Sequence, residues 1–388
     1  MARVRHAQDL LAWFDRHRRD LPWRRSRDPY GIWLSEVMLQ QTRVDVVIPY
    51  YERFLARFPT VETLAAAGTE EVLTLWSGLG YYRRARQLHA AAQKVAAAGG
   101  FPRTVEGWLE LPGIGPYTAA AVASMAFSVA APVLDGNVER VLSRWLALGE
   151  DPKSSGARRQ LLSTAASLLD VERPGDSNQA LMELGATLCT PRNPKCLLCP
   201  IATGCLAAAR GEQEAYPVAR AKRQGEKQRL VVAVAERNGG VLLFRRPDDS
   251  ELLAGTWELP WVRAEENAEG TTAEADLASR YGGVWRLGPR VAEVRHGITY
   301  RDLEIAVHSA HVEETLEGAG GLRSDGSGSG LGEPAGWFDA AGRAGLPLSS
   351  LVGKVLRKVA GLSPAAALAD PAASDARPAR RSRSRRPG

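Results

Sequence analysis

Residues 33–42, WLSEVMLQQT, place a single carboxylate in an otherwise apolar pattern. If this stretch is helical, Glu36 shares a face with Ile32, Trp33 and Leu39. Burial among apolar side chains raises the pKa of a carboxyl group, and an acid that keeps its proton near neutral pH can donate it to a leaving group. The alternative is a solvated glutamate at the edge of an amphipathic helix.

A second carboxylate stands in VLDGNV, residues 133–138, ahead of a predicted helix. In this position Asp135 can cap the helix, because its side-chain oxygens can accept hydrogen bonds from backbone amides of the first turn. The segment therefore offers either a second carboxylate for chemistry or a capping residue only.

All four cysteines fall in residues 189–205, at the spacing C-x6-C-x2-C-x5-C. A disulfide framework is not expected in a large chain with no export signal, whereas four thiolates at this spacing can close around one inorganic centre. Structural zinc usually shows two C-x2-C pairs and this segment has one, so the spacing favours an iron-sulfur cluster, with zinc as the alternative. The ligands would be Cys189, Cys196, Cys199 and Cys205.

The elements that must position these groups are helical. Amphipathic runs separated by proline and glycine extend to about residue 212, and nothing in this part alternates as strands do. The clearest runs are 6–18, 44–57, 72–77 and 84–98. We therefore predict an all-α domain over residues 1–216.

Two glycines in LPGIGPYT, residues 111–118, precede a helix of small residues that begins near Tyr117. Gly113 and Gly115 permit a tight turn whose backbone amides, with the helix N-terminus behind them, can hold a phosphate without reading any base. This is a helix-hairpin-helix pattern. A plain turn between helices is the alternative.

A second domain follows a basic, non-periodic run at residues 217–229, which we interpret as a linker with some reach towards phosphates. The second domain, residues 230–361, begins with a predicted hairpin whose turn is Asn238-Gly239. Alternating runs at 291–295 and 303–311 predict strands, and 273–281 predicts a helix.

Two further segments lack periodicity. Residues 318–334 are predicted to be a flexible loop. The tail at 362–388 is rich in alanine, proline and arginine, which predicts disorder and some nonspecific affinity for nucleic acid.

The composition fits this division. A chain of 388 residues exceeds what one core usually encloses, and its 45% hydrophobic residues can fill two. The net charge of +6 suits a polyanionic partner. The N-terminal segment is charged and no apolar run reaches the length of a membrane span, so we expect neither a signal peptide nor a transmembrane helix, and a cytoplasmic protein.

Five motifs in this order, WLSEVMLQQT, GLGYYRRAR, LPGIGPYT, LDGNV and the four-cysteine spacing, resemble the MutY-type adenine DNA glycosylases of the helix-hairpin-helix superfamily. Residues 252–260, LLAGTWELP, resemble the MutT-like domain appended in this family. The resemblance implies a multidomain fold, in which an all-α glycosylase domain with an iron-sulfur loop precedes an α+β, Nudix-like domain. It also implies a 4Fe-4S cluster on the four cysteines.

The expected partner is duplex DNA in which adenine is mispaired with 8-oxoguanine or guanine. The protein would act as a monomer and associate with the nucleoid when bound to DNA. Breaking an N-glycosidic bond needs a protonated leaving base and stabilisation of a cationic sugar, a division of labour that suits two carboxyl groups in different environments.

The resemblance assigns roles to four residues of the chemical step. Glu36 would protonate adenine at N7, and Asp135 would lie beside C1′ of the sugar as an electrostatic stabiliser or transient nucleophile. Tyr117 and Asn137 would support the intermediate. Bifunctional relatives carry a lysine at the place of Tyr117 and form a Schiff base, so this chain is expected to use water and to leave an abasic site.

Further positions are implied to contact DNA. Gln41 and Tyr81 would fill the hole left by the flipped base. Gln179 would contact the exocyclic amine of adenine, although a solvated glutamine is the alternative, and Arg24 is a further DNA-binding candidate. In the second domain Thr299 and Tyr300 would read the lesion, with Tyr300 standing where the family commonly has histidine.

The second domain departs from Nudix hydrolases, because no R-E-x-x-E-E run follows WELP to bind magnesium, and nucleotide hydrolysis is not expected. Two alternatives to an adenine glycosylase remain. One is an endonuclease III-like or thymine-mismatch glycosylase, and the other is a DNA-binding module without catalysis. The presence of both Glu36 and Asp135 argues against the second.

Overall fold

A computed structural model describes residues 2–218, 225–250, 253–264, 270–298, 300–313 and 335–360. The N-terminal part of these is helical, as the hydrophobic period predicts. Its helices are α1 (Ala2–His17), α2 (Pro29–Leu39), α3 (Val44–Arg57), α4 (Val61–Ala66), α5 (Thr69–Trp76), α6 (Arg83–Ala97), α7 (Val105–Leu109), α8 (Pro116–Phe127), α9 (Gly136–Trp145), α10 (Ser155–Ser167), α11 (Pro174–Thr187) and α12 (Leu206–Arg210).

Helix α2 is buried along most of its length. Asp28 caps it by accepting from the amides of Tyr30 and Gly31, a contact worth about 1 kcal/mol. Every residue from Tyr30 to Met38 is buried, and Glu36 is only 6% exposed. The glutamate is thus inside the protein and not at the edge of an amphipathic helix.

The helical domain contains two apolar clusters, and α8 lies between them. Ala119 and Val122 pack in the cluster around Trp33 and Trp76, whereas Ala121 on the opposite side of α8 packs in the cluster that α9 and α11 share. Small side chains allow α8 to approach both neighbours closely. Consequently the residues at the start of α8 sit where the two halves of the domain meet.

The predicted hairpin joins α7 to α8, and only one of its glycines is conformationally required. Gly113 has φ +75°, and a Cβ there would collide with Gln87. Gly115 has φ −99° and is the N-cap of α8, with open space where a Cβ would be. The turn therefore depends on Gly113, while Gly115 leaves the backbone amides accessible.

The C-terminal domain is a mixed sheet between helices. Its elements are β1 (Glu226–Arg237), β2 (Gly240–Arg245), β3 (Trp257–Glu258), β4 (Trp261–Arg263), α13 (Gly270–Tyr281), β5 (Val284–Ile298), β6 (Arg301–Glu313), β7 (Ala335–Phe338), α14 (Ala340–Ala344) and α15 (Ser350–Ala360). The order is β3-β2-β1-β6-β5, with β1 and β6 parallel.

Both faces of the central strand are buried. Leu230, Val232 and Val234 of β1 pack with α15, and Ala233 and Ala235 pack with α13 on the other face. The sheet is thus a middle layer between two helices, which agrees with the α+β domain expected from the sequence.

The predicted hairpin is confirmed and the predicted linker is partly wrong. Asn238 and Gly239 both have positive φ, at 52° and 78°, as the two-residue turn requires. Strand β1 begins at Glu226 and pairs with β6 from Arg301 onwards, so residues 226–229 belong to the sheet and not to the linker. Their side chains are mostly exposed and polar, which hid the strand pattern.

Two predicted segments, the loop at 318–334 and the tail at 362–388, lie outside the described residues. Among the described residues, no helix has the length and apolarity that a transmembrane segment needs.

The two domains contact each other at the loop between α5 and α6. The hydroxyls of Ser77 and Tyr82 both donate to the carbonyl of Leu348, the first over 3.0 Å. On α6, Arg86 donates to the carbonyl of Ala254 over 2.7 Å. The C-terminal domain is therefore attached beside the loop that carries Tyr81.

Candidate active site

A cleft of about 1360 Å³ opens between the two domains. Its lining includes the sequence-predicted residues Arg24, Glu36, Gln41, Tyr81, Tyr117, Asp135, Asn137 and Gln179. The hairpin glycines Gly113 and Gly115 are not among the lining residues, and Thr299 lies outside the described residues. One cavity thus gathers most of the candidate site from α2, α8, α9, α11 and the loop before α6.

At the bottom of the cleft, the Tyr117 hydroxyl donates to Glu36 Oε2 over 2.6 Å. Burial raises the pKa of Glu36 to about 7; the Tyr117 hydrogen bond opposes this rise and the nearby Asp135 adds to it. Burial, and then the charge of Glu36, also raises the pKa of Tyr117 well above its usual value. Tyr117 is therefore a neutral donor, and Glu36 carries a proton in a large fraction of molecules near neutral pH.

Asp135 is held very differently, because its oxygens accept bonds from two donors. Oδ1 accepts from the Val138 amide over 2.7 Å, and Oδ2 accepts from Asn137 Nδ2 over 2.9 Å. Burial raises the pKa of Asp135 above its usual value, and these hydrogen bonds oppose the rise. Asp135 is thus the N-cap of α9 and also lines the cleft, so its capping role does not exclude the predicted chemical role.

Asn137 is in turn fixed by Arg140, a residue that the sequence analysis did not single out. Arg140 Nη2 donates to Asn137 Oδ1 over 2.9 Å and to the Gly185 carbonyl over 2.8 Å. Its Nε donates to the Cys189 carbonyl over 2.8 Å. A side chain at Gly185 would collide with Asn137. A chain of hydrogen bonds through Asn137 and Arg140 therefore connects Asp135 to Cys189, the first of the four cysteines.

Glu183 is a buried carboxylate that sequence reasoning also missed. It is 1% exposed and accepts from Arg19 over 2.7 Å and from Arg24 over 2.8 Å. Arg24 thus forms an ion pair with Glu183 among the residues that line the cleft. Its charge also lowers the pKa of Glu36 slightly, after the effects of burial, Tyr117 and Asp135.

The two hole-filling candidates lie on two different loops that line the cleft. Gln41 and Tyr81 are exposed, Tyr81 by 45%, and both are non-glycine residues with left-handed backbone, at φ 58° and 51°. The three arginines that follow Tyr81 differ in placement. Arg83 is exposed, Arg84 is buried, and Arg86 bonds to the C-terminal domain, so only Arg83 can face DNA freely.

From the C-terminal domain, His296, Gly297 and Ile298 reach the cleft. Burial lowers the pKa of His296, and the Lys354 ammonium adds to this, so the imidazole is neutral at neutral pH. Tyr300 is 41% exposed and is not part of the lining. The end of β5 therefore faces the helical domain across the cleft.

The four cysteines line a second, largely apolar pocket together with Val141, Arg144 and Trp145. Arg144 is 2% exposed, and its Nη1 lies 3.4 Å from Cys189 Sγ. Within the described ranges, no three His, Cys, Asp or Glu side chains are grouped to hold a single metal ion. Four thiols around one apolar pocket beside a buried cation fit a negatively charged iron-sulfur cluster.

Three family models match consecutive parts of the chain. Residues 34–166 match the HhH-GPD superfamily of base excision DNA repair proteins. Residues 189–205 match the iron-sulfur binding domain of endonuclease III, which assigns a 4Fe-4S cluster to the four cysteines. Residues 230–358 match the NUDIX domain.

Relatives that match about two thirds of this chain are named adenine DNA glycosylase. The protein of Homo sapiens is 41% identical, and the match covers 67% of this chain and 58% of that protein. The protein of Schizosaccharomyces pombe is 35% identical, and the match covers 66% of this chain and 69% of that protein. The chain therefore spans about three fifths of the length of the human relative.

A solved structure of a thermostable thymine-DNA glycosylase is 31% identical, with a TM-score of 0.50, and covers 54% of this chain and 97% of its own. This likeness is limited to about half of the chain, whereas the match to the curated relatives extends over two thirds of it. From the three family models and these relatives, the chain belongs to the adenine DNA glycosylase family.

Proposed function

We propose that this chain is a monofunctional DNA glycosylase that flips adenine out of duplex DNA and hydrolyses its N-glycosidic bond. The observation that carries the proposal is the pairing of a proton-holding Glu36, bonded to Tyr117 over 2.6 Å, with a separately supported Asp135 in one cleft. Two carboxyl groups with different environments suit a general acid and a charge stabiliser.

In the proposed reaction Glu36 gives its proton to N7 of adenine as the bond between the base and C1′ breaks. The bonding electron pair leaves with the base, and positive charge develops on the sugar. The Asp135 carboxylate, which accepts from the Val138 amide and from Asn137, stabilises that charge. Water then attacks C1′ and loses a proton, so the products are free adenine and an abasic site.

Tyr117 argues for hydrolysis and against strand cleavage. A strand-cleaving relative needs an amine there to form a Schiff base. Tyr117 offers a neutral phenol already bonded to Glu36. Its supported role is to orient the acid.

The proposed DNA contacts follow from the walls of the cleft. Gln41 and Tyr81 fill the space of the flipped adenine, Gln179 lies where it can meet the base, and the amides near Gly115 hold a backbone phosphate. The proposed acting unit is a monomer on duplex DNA. The four cysteines hold the cluster, and the cluster cross-links the loop that they form. Arg140 connects this loop to the site, because it donates both to the Cys189 carbonyl and to Asn137.

We assign reading of the opposite base to the C-terminal domain. His296 to Ile298 face the cleft from β5, and Thr299 follows them in the chain. A neutral imidazole and a hydroxyl can accept from or donate to an oxidised purine edge. The proposed substrate is therefore adenine opposite 8-oxoguanine, with adenine opposite guanine as a poorer substrate.

The second candidate is a thymine-mismatch glycosylase, because the helical domain resembles a thymine-DNA glycosylase at 31% identity. Single-turnover assays with excess enzyme separate the two. Duplexes carry adenine opposite 8-oxoguanine, adenine opposite guanine, or thymine opposite guanine, and abasic sites are revealed by alkali. Release of adenine alone supports the proposal, and faster release of thymine would support the alternative.

A further inference from the structure

Arg84, in the first turn of α6, is a buried arginine beside the cleft that the proposed chemistry does not use. It is 8% exposed, and burial lowers its pKa to about 10, so it remains charged at neutral pH. Its guanidinium lies 5.4 Å from the ring centroid of Trp76 and 5.4 Å from that of Tyr81. A buried charge of this kind needs acceptors around it.

Those acceptors come from two separate loops. Nη1 donates to the carbonyls at the end of α2, to Val37 over 2.9 Å and Met38 over 3.0 Å, and also to the carbonyl of Gln40. Nη2 donates to the carbonyls of Leu79 over 3.3 Å and Gly80 over 3.2 Å. One planar group therefore joins the loop after α2 to the loop before α6.

The carbonyls of Gln40 and Gly80 immediately precede the two left-handed residues. Gln41 has φ 58° and Tyr81 has φ 51°, a region that side-chain-bearing residues rarely adopt. Such a backbone persists only where its surroundings determine it. Arg84 donates to the carbonyl that precedes each of these residues, and it therefore restrains the backbone that carries the side chains of Gln41 and Tyr81.

We propose that Arg84 is a positioning residue that holds Gln41 and Tyr81 together in the conformations that fill the space of a flipped base. This inference rests on the proposed function, because it gives the two residues that task. A lysine cannot replace the arginine here, since a single ammonium does not reproduce the planar fork that spans both carbonyls.

Unstacking of the target base tests the proposal. The probe is a duplex with 2-aminopurine, a fluorescent adenine isomer, opposite guanine, bound by protein carrying Glu36→Gln so that the base stays attached. In this background Arg84→Lys and Arg84→Gln should both lose most of the fluorescence rise. With Glu36 restored, excision of adenine should fall roughly ten- to a hundredfold, as expected for lost charged hydrogen bonds.

Arg53→Lys is the matched control. Arg53 also donates to a backbone carbonyl, that of Leu75 over 3.2 Å, and also lies over an aromatic ring, but it contacts neither Gln40 nor Gly80. It should leave unstacking and excision unchanged. Melting temperatures are recorded for every variant, and rates are compared below the lowest transition.

A mutant cycle separates positioning from general destabilisation. In a Gln41→Ala, Tyr81→Ala background, Arg84→Lys should change the excision rate less than about twofold, because the residues it positions are gone. An equal loss in both backgrounds, or normal unstacking by Arg84→Lys, would overturn the inference. Absence of unstacking by protein with native Arg84 would instead count against the proposed function.

Discussion

The Tyr117 hydroxyl and Glu36 Oε2 are 2.6 Å apart in a cleft where burial raises the pKa of Glu36 to about 7. A general acid must be protonated, so excision should be fastest below this pKa and fall as pH rises through about 7, approaching tenfold per pH unit. The pH–rate profile is obtained from single-turnover rates for adenine opposite guanine, measured from about pH 5 to about pH 9. A rate that is flat across neutral pH would contradict the role of Glu36.

Tyr117→Phe should move this profile in a defined direction. The hydroxyl stabilises the ionised form of Glu36, so its removal raises the pKa of Glu36 further and shifts the basic limb to higher pH. Tyr30→Phe is the control, because it also removes a buried hydroxyl, one that donates to the carbonyl of Phe58 away from the cleft. A basic limb that moves to lower pH in Tyr117→Phe would show that the hydrogen bond acts in the opposite sense.

The cysteine pocket predicts a coloured protein. Purified protein should be yellow-brown, with an absorbance band at about 400 nm, and should contain roughly four iron atoms per chain. Cys199→Ala should lose both and melt at a lower temperature, because the loop that Arg140 and Arg144 contact loses its cross-link. A colourless protein with one zinc would contradict the cluster.

Helical period and capping predicted much of the site. Apolar residues three and four positions from Glu36 indicated its burial, and Asp135 stood where an N-cap belongs. The bounds 44–57 of α3 were also predicted correctly. These features depend on near neighbours in the chain, which a sequence displays directly.

Features that depend on distant residues could not be predicted. Glu183 looks like an ordinary polar position of α11, and its partners Arg19 and Arg24 are about 160 residues away along the chain. Arg84 is one of three similar arginines in the sequence, and contacts with the end of α2, which is distant along the chain, and with Trp76, which is outside its helix, bury it. The start of β1 was missed because its residues are polar and mostly exposed, and its partner strand β6 is distant in the chain.

Reading of the opposite base should depend on the C-terminal domain. Thr299→Ala should lower the preference for 8-oxoguanine over guanine opposite adenine, because one or two lost hydrogen bonds are worth about 1–3 kcal/mol, or roughly ten- to two-hundredfold. The rate of the chemical step should change little. A chain ending after residue 218, which keeps the Tyr216 carbonyl that Arg144 binds, should lose the preference more completely.

The measurement is the ratio of single-turnover rates for the two duplexes, with enzyme in excess of the duplex but below the concentration that saturates binding. Ser309→Ala is the control, because this hydroxyl lies on β6 and is bonded to the Pro289 carbonyl away from the cleft. If truncation leaves the ratio unchanged, recognition of the opposite base belongs to the helical domain near Gln41 and Tyr81, and the assignment to the C-terminal domain is wrong.

The most direct test of the account is Glu36→Gln, compared with native protein for both binding and excision. The amide fills nearly the same volume but cannot deliver a proton, so affinity for a duplex with adenine opposite 8-oxoguanine should be retained while the single-turnover excision rate falls by about 10²–10⁴. An absorbance at about 400 nm equal to that of the native protein would show that the variant is folded around its cluster. Excision within about tenfold of the native rate at neutral pH would contradict the assignment of Glu36 as the general acid.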